Sequence, residues 1–124
     1  NNNFEFDTNP FNLNSLFSSS YLITDYSGIA HEFIFLINKP VLYFKNLFKI
    51  HNTEQNKLTG STIEEHIYEK FGFPIYENDI NNIDLSIKNS KENFYKKIDL
   101  IQNFAKQNFY NFKESDKAST HFFL

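Results

Sequence analysis

The sequence predicts an α/β fold, a parallel sheet flanked by helices. Three observations carry that expectation. Tyr21-Leu22-Ile23 and Val41-Leu42-Tyr43-Phe44 are short, β-prone and free of polar alternation, as strands covered on both faces should be. Between them a polar turn, Asp25-Tyr26-Ser27-Gly28, gives way to apolar residues at helical spacing, Ile29, Ala30, Phe33, Ile34 and Ile37. A strand, a helix and a second strand in this order form a parallel right-handed crossover. A similar order precedes it, with alternating Phe4-Glu5-Phe6 as a short strand followed by a helix.

The elements follow in order. Asn9 is a good N-cap and Pro10 suits a first helical position, so a helix is expected from Pro10 to Ser18. Tyr21–Thr24 is the next strand. The helix from Gly28 to Ile37 is apolar nearly all round and is expected to be buried. Pro40 is tolerable at the start of the strand that ends at Phe44. Residues 45–60 lack a clear period and read as a long loop past a strand's C-terminal end. Ser61-Thr62-Ile63-Glu64 is a capping-box pattern opening a helix to Phe71, with Gly72 and Pro74 beyond it. Phe73–Tyr76 is a short edge strand. Glu77–Ser90 is polar and Asn-rich and reads as a loop with one helical turn at most. Ser90 then caps a long helix, Lys91 to Phe109, and Ser115–Phe123 is one further helix.

Composition sets limits. A chain of 124 residues suffices for one domain with a modest core. Its first residue is Asn1, and the chain is expected to be a piece of a larger protein. A net charge of −3 leaves no nucleic-acid footprint. The absence of Cys excludes disulfides and thiolate metal sites and fits a reducing compartment. No apolar run approaches the ~18–20 residues of a membrane span. There is no Arg, so an anion site must use backbone N–H groups, hydroxyls and Lys. His31, His51, His66 and His121 are scattered, no metal-ligand spacing is present, and three Gly allow no Gly-rich phosphate fingerprint.

Chemistry is expected at the turn after the first long strand. Open α/β sheets bind ligands beyond the C-terminal ends of their strands, and a helix N-terminus attracts phosphate. The Ser27 hydroxyl and the N–H groups of Ser27, Gly28 and Ile29 together form a candidate diphosphate cradle. Ser27 would equally serve as a helix cap. Asp25 would repel phosphate and is expected to accept N–H bonds within the turn. Tyr26 either packs against a base or fills the elbow. His31 on the following helix is expected to be structural.

The same residues resemble a known family. Leu22-Ile-Thr-Asp-Tyr-Ser-Gly-Ile-Ala-His-Glu-Phe33, followed by Asn38-Lys-Pro-Val-Leu-Tyr-Phe44, is similar to the C-terminal domain of CDP-glycerol glycerophosphotransferases. There an Ile-Thr-Asp-Tyr-Ser-Ser turn precedes a helix and a Lys-Pro strand. Glu114-Ser-Asp-Lys-Ala-Ser119 resembles the segment that closes many members. Members often carry Pro-Gly-Pro where this chain has Gly72-Phe73-Pro74.

The resemblance implies a Rossmann-like sheet forming part of the C-terminal domain of a GT-B fold, with residues 1–124 as one partial donor-binding domain. It implies a CDP-activated polyol donor, a glycan or polyol-phosphate acceptor, and an N-terminal domain of the same chain carrying the catalytic His residues. The fragment alone would then be inactive. The resemblance also implies diphosphate binding by Ser27, Gly28, Ile29 and Lys117, nucleotide binding by Tyr26 and Glu32, and tail contacts from Asp116 and Ser119. It calls for no cofactor, metal or nucleic acid, and places the protein in the cytoplasm at the inner face of the membrane, with peripheral attachment. The alternatives are a nucleotide-sugar glycosyltransferase, an epimerase-like domain, or a non-catalytic interaction domain on the same scaffold.

Overall fold

The computed structural model describes residues 3–9, 13–45 and 62–109. Three parallel strands lie in sequence order: β1 (Leu22–Thr24), β2 (Val41–Phe44) and β3 (Phe73–Ile75). Leu22 pairs with Val41 and Thr24 with Tyr43, while Leu42 pairs with Phe73 and Phe44 with Ile75. Val41, Leu42 and Tyr43 are all buried. Successive strand residues point to opposite faces, so β2 is covered on both, as its unbroken apolar run requires.

The helices are α1 (Leu13–Ser18), α2 (Ile29–Glu32), α3 (Ile63–Phe71), α4 (Ile83–Lys96) and α5 (Ile98–Asn108). The helix expected from Gly28 to Ile37 does form, but α2 widens into a π-turn over Phe33–Ile37. It ends at Asn38, which holds the left-handed conformation at φ 59. Asn is among the few residues that adopt it readily. The Gln102 amide reaches over from α5 to the Asn38 side-chain oxygen and, at 3.5 Å, to the Phe35 carbonyl. The segment is buried on one side only: Leu36 is 51% exposed, and Ile29 and Ile37 are half-buried. Ala30, Phe33, Ile34 and Phe35 enter one core with Ile67, Tyr68 and Phe71 of α3, Phe94 of α4, and Ile101 and Ala105 of α5. Each fully buried Phe or Ile there is worth roughly 1.5–3 kcal/mol.

Several expectations are corrected. Phe4–Phe6 lies outside any strand, with Phe4 72% and Phe6 82% exposed. The capping box sits one residue later than expected. Thr62 accepts from the Glu65 N–H at 3.2 Å, and the Glu65 carboxylate accepts from the Thr62 N–H at 3.0 Å. Glu77–Asn82 is a 3-10 turn that runs directly into α4, so the helix begins at Ile83 rather than after Ser90. Ser90 is buried inside α4, with its hydroxyl donating to the Ile87 carbonyl at 2.8 Å. The chain then breaks at Lys97, giving two helices where one was expected. The start of the first helix at Pro10, most of the long loop, and the tail helix with Asp116, Lys117 and Ser119 lie outside the described residues.

Candidate functional site

The elbow between β1 and α2 stands at the C-terminal end of the sheet, where the strand order places it. Its first turn closes by two i to i+3 bonds, Ala30 N–H to the Ser27 carbonyl and His31 N–H to the Gly28 carbonyl, both 3.1 Å. Gly28 is the N-cap by position and no side chain caps the helix. The expected Ser27 cap is therefore absent. Ser27→Ala should change stability by less than about 0.5 kcal/mol, the range of a surface substitution without a special contact; a urea melt checks it.

The Ser27 amide is not open to a ligand. It donates to the Tyr68 hydroxyl at 2.7 Å. That hydroxyl lies 2.8 Å from the Ser27 carbonyl and 3.1 Å from the Asp25 carbonyl, so its single proton has two acceptors. The expectation that the Ser27 N–H forms part of a vacant anion cradle is thus overturned: a side chain from α3 fills that place. Tyr68 reaches it because the Thr62–Glu65 capping box fixes the start of α3 and Ile67 and Phe71 anchor the same face in the core. Burial, above all, raises the Tyr68 pKa, with Asp25, Glu64 and Tyr26 adding to it and the Ser27 bond opposing it. The hydroxyl therefore stays protonated and remains a donor.

The remaining expected residues are placed as follows. Gly28 is exposed, and a Cβ built there would have no heavy atom of the described residues within 4 Å. Its φ of −57 and ψ of −30 are helical, so neither backbone strain nor crowding calls for glycine. The Ile29 amide, first in the helix, has no intrahelical acceptor. Among the described residues no acceptor is found for the Gly28 or Ile29 N–H. Tyr26 fills the elbow, its ring 4.9 Å from that of Tyr68 and 5.6 Å from that of Tyr43. Glu32 is exposed. Lys117, Asp116 and Ser119 are not among the described residues, so nothing here brings them to the elbow.

The surroundings are aromatic and acidic. Tyr43 and Tyr68 rings meet at 4.9 Å, and the His31 ring lies 5.6 Å from Tyr68. Burial pushes Tyr43 up to about 12, with Tyr26, Glu69, Tyr76 and Tyr68 contributing. Tyr26 is raised by burial and then by Glu65, Glu69 and Tyr76. An anion at the elbow therefore needs a cation beside it. No group of three His, Asp or Glu able to hold a metal occurs among the described residues, and no helix among them is long and apolar enough to cross a membrane.

His31 Nε2 is buried without a hydrogen-bond partner among the described residues. Desolvation lowers its pKa below 6.5, and Glu64 only partly offsets this. The unfolded chain thus takes up the proton first. Stability should be full above about pH 6.5 and should fall as the pH drops below it towards the folded-state value. His31→Gln should flatten that slope in urea melts between about pH 5 and 7.5.

Sequence reasoning missed Tyr68, which it counted only as part of a helix. The helix itself was legible; nothing local marks a hydroxyl that bonds 41 residues away. No family model matches the chain, and neither the curated proteins nor the solved structures contain a match to it.

Proposed function

We propose that this chain is the donor-binding part of a CDP-glycerol-type glycerophosphotransferase. Such an enzyme moves a polyol phosphate from its CDP carrier to an acceptor hydroxyl in the synthesis of a cell-surface polymer. The acceptor oxygen attacks the phosphorus next to the glycerol, the bond to the CMP oxygen breaks, and CMP leaves. The supports are the Leu22–Phe33 and Asn38–Phe44 residues that resemble this family, and a parallel sheet whose elbow lies at the end where α/β folds bind ligands.

The observation that carries the reading is Gly28. It has helical dihedrals and, among the described residues, open space where a side chain would go, so neither strain nor crowding there calls for a glycine. Close approach of a phosphate to the backbone would account for it. With the Ser27 amide held by Tyr68, the diphosphate contacts in this reading are the Gly28 and Ile29 N–H groups and the Ser27 hydroxyl. Fixed amides of this kind stabilise charge that builds on the transferring and leaving phosphates. The family resemblance assigns Lys117 as the cation that Glu64, Glu65 and Glu69 make necessary, and assigns Glu32, exposed one turn on, to the ribose hydroxyls. The acceptor site and catalytic residues belong to other parts of the enzyme, and the site works on the cytoplasmic face of the membrane.

Calorimetry of the full-length protein with CDP-glycerol, CDP-ribitol, and UDP- and GDP-sugars tests this. The reading expects the CDP-polyols to bind tightest. Preference for a UDP- or GDP-sugar would move the assignment to a glycosyltransferase, and absence of binding by all of them would remove it.

A further inference from the structure

The Tyr68 hydroxyl meets the elbow at three consecutive peptide groups. It lies 3.1 Å from the Asp25 carbonyl, accepts the Ser27 N–H at 2.7 Å and lies 2.8 Å from the Ser27 carbonyl. A trans peptide is planar, so its C=O and N–H point opposite ways, and no peptide among the described residues is cis. The Ser27 carbonyl faces Tyr68, so the Gly28 N–H of the same peptide faces away from it. The Ser27 N–H faces Tyr68 directly. One hydroxyl therefore sorts two neighbouring amides, Ser27 inward and Gly28 outward. Burial agrees with this: Tyr68 is 2% exposed, whereas Gly28 is exposed.

We propose that Tyr68 is a positioning residue for the ligand, turning the Gly28 N–H to the side of the elbow away from α3, where the diphosphate binds. The ligand rests on the donor-binding reading of the elbow; the positioning rests on the three contacts of the hydroxyl. The Ser27 carbonyl also accepts the Ala30 N–H at 3.1 Å, but that bond lies within the elbow and turns with it. The Tyr68 contacts tie the elbow to α3, whose start is fixed by its capping box and whose Ile67 and Phe71 are buried in the core. The rings of Tyr26, Tyr43 and His31 pack around the Tyr68 ring, so the hydroxyl has a fixed place. A carbonyl that accepts hydrogen bonds polarises its own peptide, which makes the Gly28 N–H a stronger donor. Charge favours the same side. Glu64, Glu65 and Glu69 belong to α3, so a phosphate is repelled less on the side away from that helix. An amide held in place before the ligand arrives need not be ordered on binding.

NMR and calorimetry on the full-length protein test the positioning. In Tyr68→Phe, below its melting midpoint, the residual dipolar coupling of the Gly28 N–H should change. That of the Gly72 N–H, which bonds to the Tyr68 carbonyl at the end of α3, should stay as it is. CDP-glycerol affinity should fall at least tenfold. In the wild type, where no substitution disturbs folding, CDP-glycerol should shift the Gly28 amide resonance and leave that of Ser27 in place. An unchanged Gly28 coupling overturns the positioning, and so does equal affinity in two proteins that both bind; the donor-binding reading then stands. A Gly72 coupling that changes as well marks a general loss of α3 and overturns it too, as does a Ser27 shift equal to that of Gly28 in the wild type. A wild type that binds no CDP-glycerol removes the donor-binding reading itself, and the positioning with it.

Discussion

Tyr68→Phe lowers stability by about 1–3 kcal/mol, the cost of leaving a formerly paired polar group without its partner. The substitution keeps the ring, and with it the contacts to Tyr26, Tyr43 and His31. Only the oxygen is removed. The Ser27 N–H then loses its acceptor at 2.7 Å, and the Ser27 and Asp25 carbonyls lose a shared donor. Ser27 O keeps the Ala30 N–H, so the orphaned amide is the larger part of the loss. Urea unfolding of the two proteins at neutral pH measures the difference. A change below about 0.5 kcal/mol, as for a surface site, would mean that solvent replaces the hydroxyl without cost. The same variant frees an amide at the elbow, so the Ser27 N–H should become the fastest-exchanging of the three at residues 27, 30 and 31.

Gly72→Ala is expected to cost about 1–3 kcal/mol, as forced overpacking of a core does. Gly72 is buried, with φ −84 and ψ 172, values open to any residue, so the need for glycine there is one of space. A Cβ would lie 2.8 Å from the Tyr68 carbonyl and 3.0 Å from two carbons of the Tyr43 ring. The carbonyl cannot retreat easily, because it accepts the Gly72 N–H at 2.9 Å in the last turn of α3. The Tyr43 ring is 1% exposed and packed against Tyr26 and Tyr68. Relief of the clash therefore pushes on the residues that hold the elbow. Thermal unfolding followed by near-UV circular dichroism, which reports tyrosine packing, should show both a lower midpoint and an altered native signal. An unchanged midpoint would show that α3 and β2 can separate locally without loss.

What could be read from the sequence was local, and what was missed depended on distant contacts. β1, β2 and β3 were legible because a short β-prone run between turn residues has few other solutions in a chain of this composition. The helix after the elbow was legible from its period, though its π-turn was not, since the Gln102 contact that accompanies it comes from α5. The α4 start was hidden by Asn and Asp among the apolar residues, although Ile83, Ile87, Ser90 and Phe94 keep helical spacing. Ser90 misled because serine suits both an N-cap and an interior position bonded back to a carbonyl, here Ile87. At the elbow, the turn and the position of Gly28 were legible from the strand–helix order. Tyr68 was not, because its partner is 41 residues away across the fold.

The central claim is that an anion's close approach explains Gly28. Gly28→Ala separates fold from function, because the new methyl meets no atom of the described residues within 4 Å and the dihedrals are already helical. Stability should rise by about 0.4–1 kcal/mol, through loss of freedom in the unfolded chain. Calorimetry on the full-length protein should meanwhile show CDP-glycerol affinity falling at least tenfold. A variant that is more stable and binds CDP-glycerol as the wild type does would contradict the account.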